Sequence, residues 1–200
     1  MTINNSQNKK FSTEFEAVFS NIDKEKIRAN LKKNGAKLLV AESLQTRKVF
    51  CLPGDKDNGF VRVRKEVTGK TTLTIKKFVS QEIDGQKEIE IVVDDFEKTV
   101  NLLEALGLKQ KAFQETKREL WKFNEAEIMI DEWPFLEPFI EIEGKSEEMV
   151  KKISAQLGFD YKKAIFGPVT ILYSKKYNIS EDQINNKTPQ IIFDMENPFV

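Results

Sequence analysis

The chain has 200 residues, 40% of them hydrophobic, with 32 Lys and Arg balanced by 32 Asp and Glu. That length suits one domain with its own core, and the balanced charge supplies no global field to recruit nucleic acid or an anionic membrane. The absence of histidine removes Ser-His and Cys-His nucleophile pairs and His-rich zinc sites, leaving carboxylates, Lys, Arg, Tyr and a hard cation such as Mg²⁺ or Mn²⁺ for acid-base work.

Residues 1–10 are polar and read as a disordered N-terminus lacking the apolar core of a signal peptide. No apolar run approaches the ~20 residues that span a bilayer, so the chain reads as soluble and cytoplasmic. A strand is expected over about 12–19, where Glu14 and Glu16 share one face and Phe15 and Ala17 the other. Asp23 then caps a helix carrying Ile27 and Leu31 and stopping at Gly35. Strands follow at about 37–42, 45–52, 59–66, 70–78 and 86–93, separated by turn signals at Pro53-Gly54, Asp57-Asn58-Gly59, Gly69 and Asp84-Gly85. The single cysteine, Cys51, lies between Phe50 and Leu52 and reads as a packed thiol. Gly69-Lys70-Thr71 is a turn; the earlier glycine of a phosphate-binding loop is absent and a strand follows.

Asp94 with Glu97 starts a second helix through Val100, Leu103 and Leu106 to Gly107. Strands at about 117–123, 126–132 and 138–143 precede a third helix, opened by Ser146 and closed at Gly158, and another strand is read at 169–175. The tail over 178–200 carries Ile191, Ile192, Phe193 and Phe199 and is expected to dock on the body, which spans 11–177. Hairpin-linked strands with a few helices imply an α+β fold with an antiparallel sheet, open or closed.

Three strands carry a Glu-x-Glu pair: Glu14 and Glu16, Glu88 and Glu90, Glu141 and Glu143. On other strands Arg62 and Arg64 alternate with Val61 and Val63, Lys76 with Ile75, Arg118 precedes Leu120, and Asp131 follows Met129. Each strand alone is the ordinary pattern of a sheet with one solvated face. Converging in a closed barrel, the cations would hold phosphate oxygens and the carboxylates a divalent metal.

EFEAVF (14–19), FVRVRKE (60–66), LTIKK (73–77), KEIEI (87–91), KRELW (117–121), IMIDE (128–132) and FIEIEG (139–144) together resemble the CYTH superfamily, the triphosphate tunnel metalloenzymes, across about 12–175. The resemblance implies a closed eight-stranded antiparallel β-barrel with helices outside, whose tunnel binds a triphosphate and Mg²⁺ or Mn²⁺. It implies that Glu14, Glu16, Glu141 and Glu143 hold metal, that Arg62, Arg64, Lys76 and Arg118 hold phosphates, and that Glu88, Glu90 and Asp131 position a second metal or the attacking water. The implied activity is hydrolysis of a small triphosphate-bearing molecule (tripolyphosphate, a nucleoside triphosphate or thiamine triphosphate), with cyclisation of ATP by a class IV adenylate cyclase as the alternative.

The family's opening motif is Glu-x-Glu-x-Lys, whereas the third inward position here is Val18. A non-catalytic phosphate-binding module that has lost turnover with the lysine is therefore a third alternative, unless Lys48 or Lys122 substitutes for the missing cation. No nucleic-acid or membrane partner is expected, and the oligomeric state is open, a homodimer being one option.

Overall fold

The alternation read from the sequence closes on itself. A computed structural model describes residues 11–55 and 58–200, so the disorder expected for residues 1–10 lies outside the described residues. In chain order the elements are β1 (Ser12–Ser20), α1 (Lys24–Lys33), β2 (Lys37–Cys51), β3 (Gly59–Lys65), β4 (Thr71–Phe78), β5 (Gln86–Val93), α2 (Phe96–Ala105), β6 (Gln110–Phe123), β7 (Ala126–Glu132), β8 (Phe139–Gly144), α3 (Glu147–Gln156), α4 (Thr170–Tyr177), α5 (Glu181–Lys187) and β9 (Gln190–Ile191). Around the barrel the order is β2-β3-β4-β5-β1-β8-β7-β6, and β6 returns to β2. Every ladder among these eight strands is antiparallel.

One seam is short. β1 pairs with β5 only over Ser12–Glu14, and farther along the same strand Val18 exchanges backbone hydrogen bonds with Ile165 (3.1 and 2.9 Å). The loop after α3 thus occupies the edge that β5 leaves, which satisfies backbone groups that would otherwise be buried unpaired.

Period-two alternation sends the apolar residues outward, where helices cover them. Ala17, Phe19, Ile128, Ile130, Ile140 and Ile142 pack under Ile27 and Leu31 of α1, Val150 and Ile153 of α3, and Leu157, which caps α3. Phe50, Val61 and Val63 pack under Val100 and Leu103 of α2. Each fully buried aliphatic side chain contributes roughly 1.5–3 kcal/mol, which fixes the faces and so aims the charged residues inward.

Four details differ from the sequence expectation. The segments 37–42 and 45–52 form one strand, β2, with register shifts between Leu38 and Val40, Val40 and Ser43, and Val49 and Phe50. β6 begins at Gln110, seven residues before the expected 117. The cap of α2 is Asp95, whose carboxylate accepts from the Lys98 amide at 2.9 Å. Residues 169–175 are not a strand: α4 follows Pro168 and buries Thr170, Leu172 and Tyr173.

The tail docks at one end of the barrel. β9 adds in parallel to β6 at Phe113 and Gln114, just before the β6–β7 ladder begins at Lys117. With α4 and α5 it builds an apolar cap in which Leu172, Tyr173, Ile184 and Ile191 pack on Val18, Trp133 and Phe139.

Candidate functional site

The inward faces enclose a cavity of about 340 Å³ lined by Glu14, Glu16, Arg62, Arg64, Lys76, Glu88, Glu90, Arg118, Glu141 and Glu143. Asp131 joins them through Arg118, donating nothing and accepting from Arg118 Nε at 2.7 Å and from its Nη2. All eleven candidate residues therefore meet in one place. Gly167, Pro168, Val169, Thr170 and Asn185 line the cavity from the C-terminal segment.

Strand position decides sign. The acids come from β1, β5, β7 and β8 and the cations from β3, β4 and β6, so pairs form between strands. Lys76 Nζ lies 2.7 Å from Glu14 and 3.8 Å from Glu88. Arg62 lies 3.5 Å from Glu90 and 3.9 Å from Glu88, and Arg64 lies 2.5 Å from Glu66 and 3.5 Å from Glu90. Thr74 donates its hydroxyl to Glu90 at 2.7 Å. Arg118 is held by both oxygens of Asp131 and lies 2.5 Å from Glu141.

Glu16 and Glu143 are the exceptions. They are direct partners across β1 and β8, and Glu143 is also the partner of Glu127 across β8 and β7. Among the described residues neither Glu16 nor Glu143 has an ion-pair partner within 4 Å, and Glu16 only accepts from Gln86 Nε2 at 3.3 Å. Like charges set opposite each other are destabilising, and burial adds to the penalty. Burial and then the Glu141 charge push Glu16 up to about 8, and burial followed by Glu14 pushes Glu143 up to about 7. Glu14 behaves differently: burial raises it, but Lys76 more than offsets this and holds it below the usual glutamate value.

Among the described residues no three carboxylates are gathered closely enough to chelate an ion as they stand. The donor chemistry nevertheless fits a hard divalent cation: oxygen ligands only, with the Glu16 and Glu143 carboxylates facing each other and neither in an ion pair within 4 Å among the described residues.

A CYTH domain profile matches residues 50–165, more than half of the chain. The chain belongs to the CYTH family. Its fold is similar to that of a conserved hypothetical protein from Pyrococcus furiosus, with 23% identity and a TM-score of 0.67 over 80% of this chain and 99% of that one. It is also similar to a candidate adenylate cyclase from Vibrio parahaemolyticus, with 12% identity and a TM-score of 0.69 over 82% of this chain and 98% of that one. A third similar structure is a candidate adenylyl cyclase from Hippeastrum with a dominant triphosphatase activity, at 12% identity and a TM-score of 0.53 over 84% of this chain and 97% of that one. No curated protein matches.

This CYTH barrel also holds lumen residues that the sequence reading passed over. Arg47 lines the cavity from β2, and Glu66 and Glu127 line it beside Arg64 and Glu143. Their signal was parity alone: Arg47 is three residues before Phe50, which faces outward beneath α2, and Glu127 is two before Met129. Neither proposed substitute for the missing lysine lines the cavity. Lys48 turns outward to Glu97 of α2 at 3.5 Å, and Lys122 sits at the half-exposed end of β6, 3.7 Å from Glu127. Val18 does lie on the inward side, opposite Glu141, but the C-terminal cap covers it with apolar side chains instead of leaving it beside the charged cavity.

Proposed function

We propose that this CYTH domain binds the phosphate chain of a triphosphate-bearing small molecule in its lumen and hydrolyses a phosphoanhydride bond. The observation that supports this best is the polarity of the barrel wall. Arg47 and Arg64 are direct partners on β2 and β3, and four strands around the eight-stranded ring Glu16 and Glu143 are direct partners on β1 and β8. A wall of guanidinium groups facing a wall of carboxylates suits a polyanion carried with a divalent cation.

Glu14, Glu16, Glu141 and Glu143 would hold Mg²⁺ or Mn²⁺. When bound, that ion supplies Lewis-acid polarisation of a phosphoryl oxygen. The chain's own residues do the rest. Arg62 and Arg64 offer planar forks to the phosphate oxygens, and Lys76 a point charge. Arg118, held along its Nε–Nη2 edge by both oxygens of Asp131, presents its remaining donors in a set direction. Phosphate oxygens that draw Arg62 and Arg64 away from Glu90 would free that carboxylate, already anchored by Thr74, to orient a water molecule for in-line attack. In this reading Glu88, held up by burial, is the neighbouring acceptor for the water proton.

The second reading, cyclisation of ATP, is favoured by the likeness to the Vibrio protein and uses the same lumen. Product analysis after incubation with ATP and Mg²⁺ separates them. Release of inorganic phosphate supports hydrolysis, whereas cyclic AMP with pyrophosphate would replace it by the cyclase reading.

A further inference from the structure

Arg47 differs from every other lumen cation. Arg62, Arg64, Lys76 and Arg118 each have a carboxylate within 4 Å, whereas among the described residues Arg47 has none. Its side chain is 7% exposed, and its Nη2 donates to Thr116 Oγ1 at 2.9 Å. Its buried Nε finds no hydrogen-bond partner, and the same is true of Nε in Arg62 and Arg64. The register places Arg47 directly opposite Arg64, so like charges face each other inside a cavity. A buried guanidinium without a counter-charge is costly, and a purely structural arginine would be expected to have one.

The guanidinium lies over the ring of Trp133, 4.5 Å from its centroid. Trp133 packs edge-on against Tyr173 of α4, and Tyr173 donates its hydroxyl to the Pro134 carbonyl at 2.7 Å. Tyr173 in turn packs against Phe199 near the end of the tail. A continuous chain of aromatic contacts therefore runs from the tail through Tyr173 and Trp133 to the guanidinium, at the end of the cavity closed by the C-terminal segment. Contact with the ring face holds the guanidinium in place and restricts where its donors can reach.

We propose that Arg47 is a phosphoryl-binding residue at the capped end of the lumen, and that Trp133 is a positioning residue through which the C-terminal segment sets it. The inference rests on the phosphate-chain reading above and adds to it a subsite built jointly by β2 and the tail. Three arginines with unpartnered Nε groups then converge on one phosphoryl group: Arg62 and Arg64 from β3, and Arg47 from the neighbouring strand.

The test uses the full chain and inorganic tripolyphosphate in the presence of EDTA, with binding read by intrinsic fluorescence and by thermal shift. Tripolyphosphate should change Trp133 emission in the parent and not in Trp133→Phe, which keeps Trp121 as an internal reference. Arg47→Gln should weaken binding about tenfold or more, the expected loss of a charge-assisted contact. Arg47→Lys, which keeps the charge but cannot lie flat on the ring, should weaken it less but measurably. Trp133→Ala should weaken binding about tenfold, with Trp133→Phe restoring it to within about threefold, an order that follows from stacking on an aromatic face. If folded Arg47→Gln, or Arg47→Lys should the former not fold, binds tripolyphosphate as tightly as the parent while Arg62→Ala with Arg64→Ala abolishes binding, this inference falls and the wider reading stands. If the parent binds only once Mg²⁺ replaces EDTA, the same comparisons are read with Mg²⁺; if it binds tripolyphosphate under neither condition, both fall.

Discussion

Glu16 and Glu143 face one another across the β1–β8 ladder in the lumen, and among the described residues neither has a cation within 4 Å. Their carboxyls are pushed up to about 8 and about 7 from an ordinary value of 4.5. The folded chain therefore holds these protons more tightly than the unfolded chain does, and stability falls wherever that difference operates. Without divalent ions the melting temperature should decline as pH rises from about 4.5 through 8 and then level off as far as these two groups are concerned. Mg²⁺ or Mn²⁺ should flatten that decline by binding the deprotonated pair, with the largest gain at the alkaline side of the window. Melting curves at a series of pH values, with and without the ion, check this; an identical pH dependence in both would count against a metal held by this pair.

Arg62 and Arg64 extend from consecutive inward positions of β3; both lie 3.5 Å from Glu90, and Arg64 also pairs with Glu66 at 2.5 Å. Tripolyphosphate with Mg²⁺ should raise the melting temperature of the parent, since it binds only the folded state. Arg62→Ala combined with Arg64→Ala should abolish the rise. A shift of parental size in the double variant would move the phosphate site elsewhere.

Asp131 is almost fully buried and grips Arg118 with both oxygens. Removing it leaves a buried guanidinium with Glu141 as its remaining counter-charge. Asp131→Ala should raise the KM for tripolyphosphate and lower kcat/KM by at least about tenfold, because a loosened fork no longer meets the phosphate in one orientation. Steady-state kinetics decide, with circular dichroism establishing that the variant is folded.

Val18 sits beneath Leu172, Tyr173 and Ile184, in a cluster with no charged member. A lysine there has the Glu141 carboxylate across the ladder, already paired with Arg118, but must force its stem and ammonium into the apolar cap, at a cost of roughly 3 kcal/mol. Val18→Lys is therefore expected to lower the melting temperature by on the order of 10 °C, with no gain in tripolyphosphate turnover. A folded variant with parental stability and faster turnover would show that the cap yields and that position 18 reaches the phosphate chain.

Strand parity made most of the lumen legible. Period-two alternation with outward isoleucines around Glu88, Glu90, Glu141 and Glu143 required those carboxylates to share a face, and helical coverage of the outer face did the rest. Arg47 stayed hidden although the expected strand over 45–52 holds it with Gln45 and Val49, because Lys48 beside it puts a cation on each face, and only the outward turn of Lys48 to Glu97 shows which one lines the cavity. The segment from Thr170 to Tyr177 contains Ile171, Leu172 and Tyr173, residues at home in strands; its helical state follows from Pro168 before it and from burial against the barrel end. The cover over Val18 was illegible for a different reason. It depends on contacts with residues more than 140 positions later in the chain, which no local pattern carries.

The central claim is that this lumen grips a triphosphate and cleaves it. The most direct measurement is release of inorganic phosphate from tripolyphosphate by the full chain, with Mg²⁺ or Mn²⁺ and with the protein-free rate subtracted. Saturable release that EDTA stops, and that Arg62→Ala with Arg64→Ala removes, is the result predicted here. Release no faster than the protein-free rate with either ion, from protein shown to be folded, would contradict it.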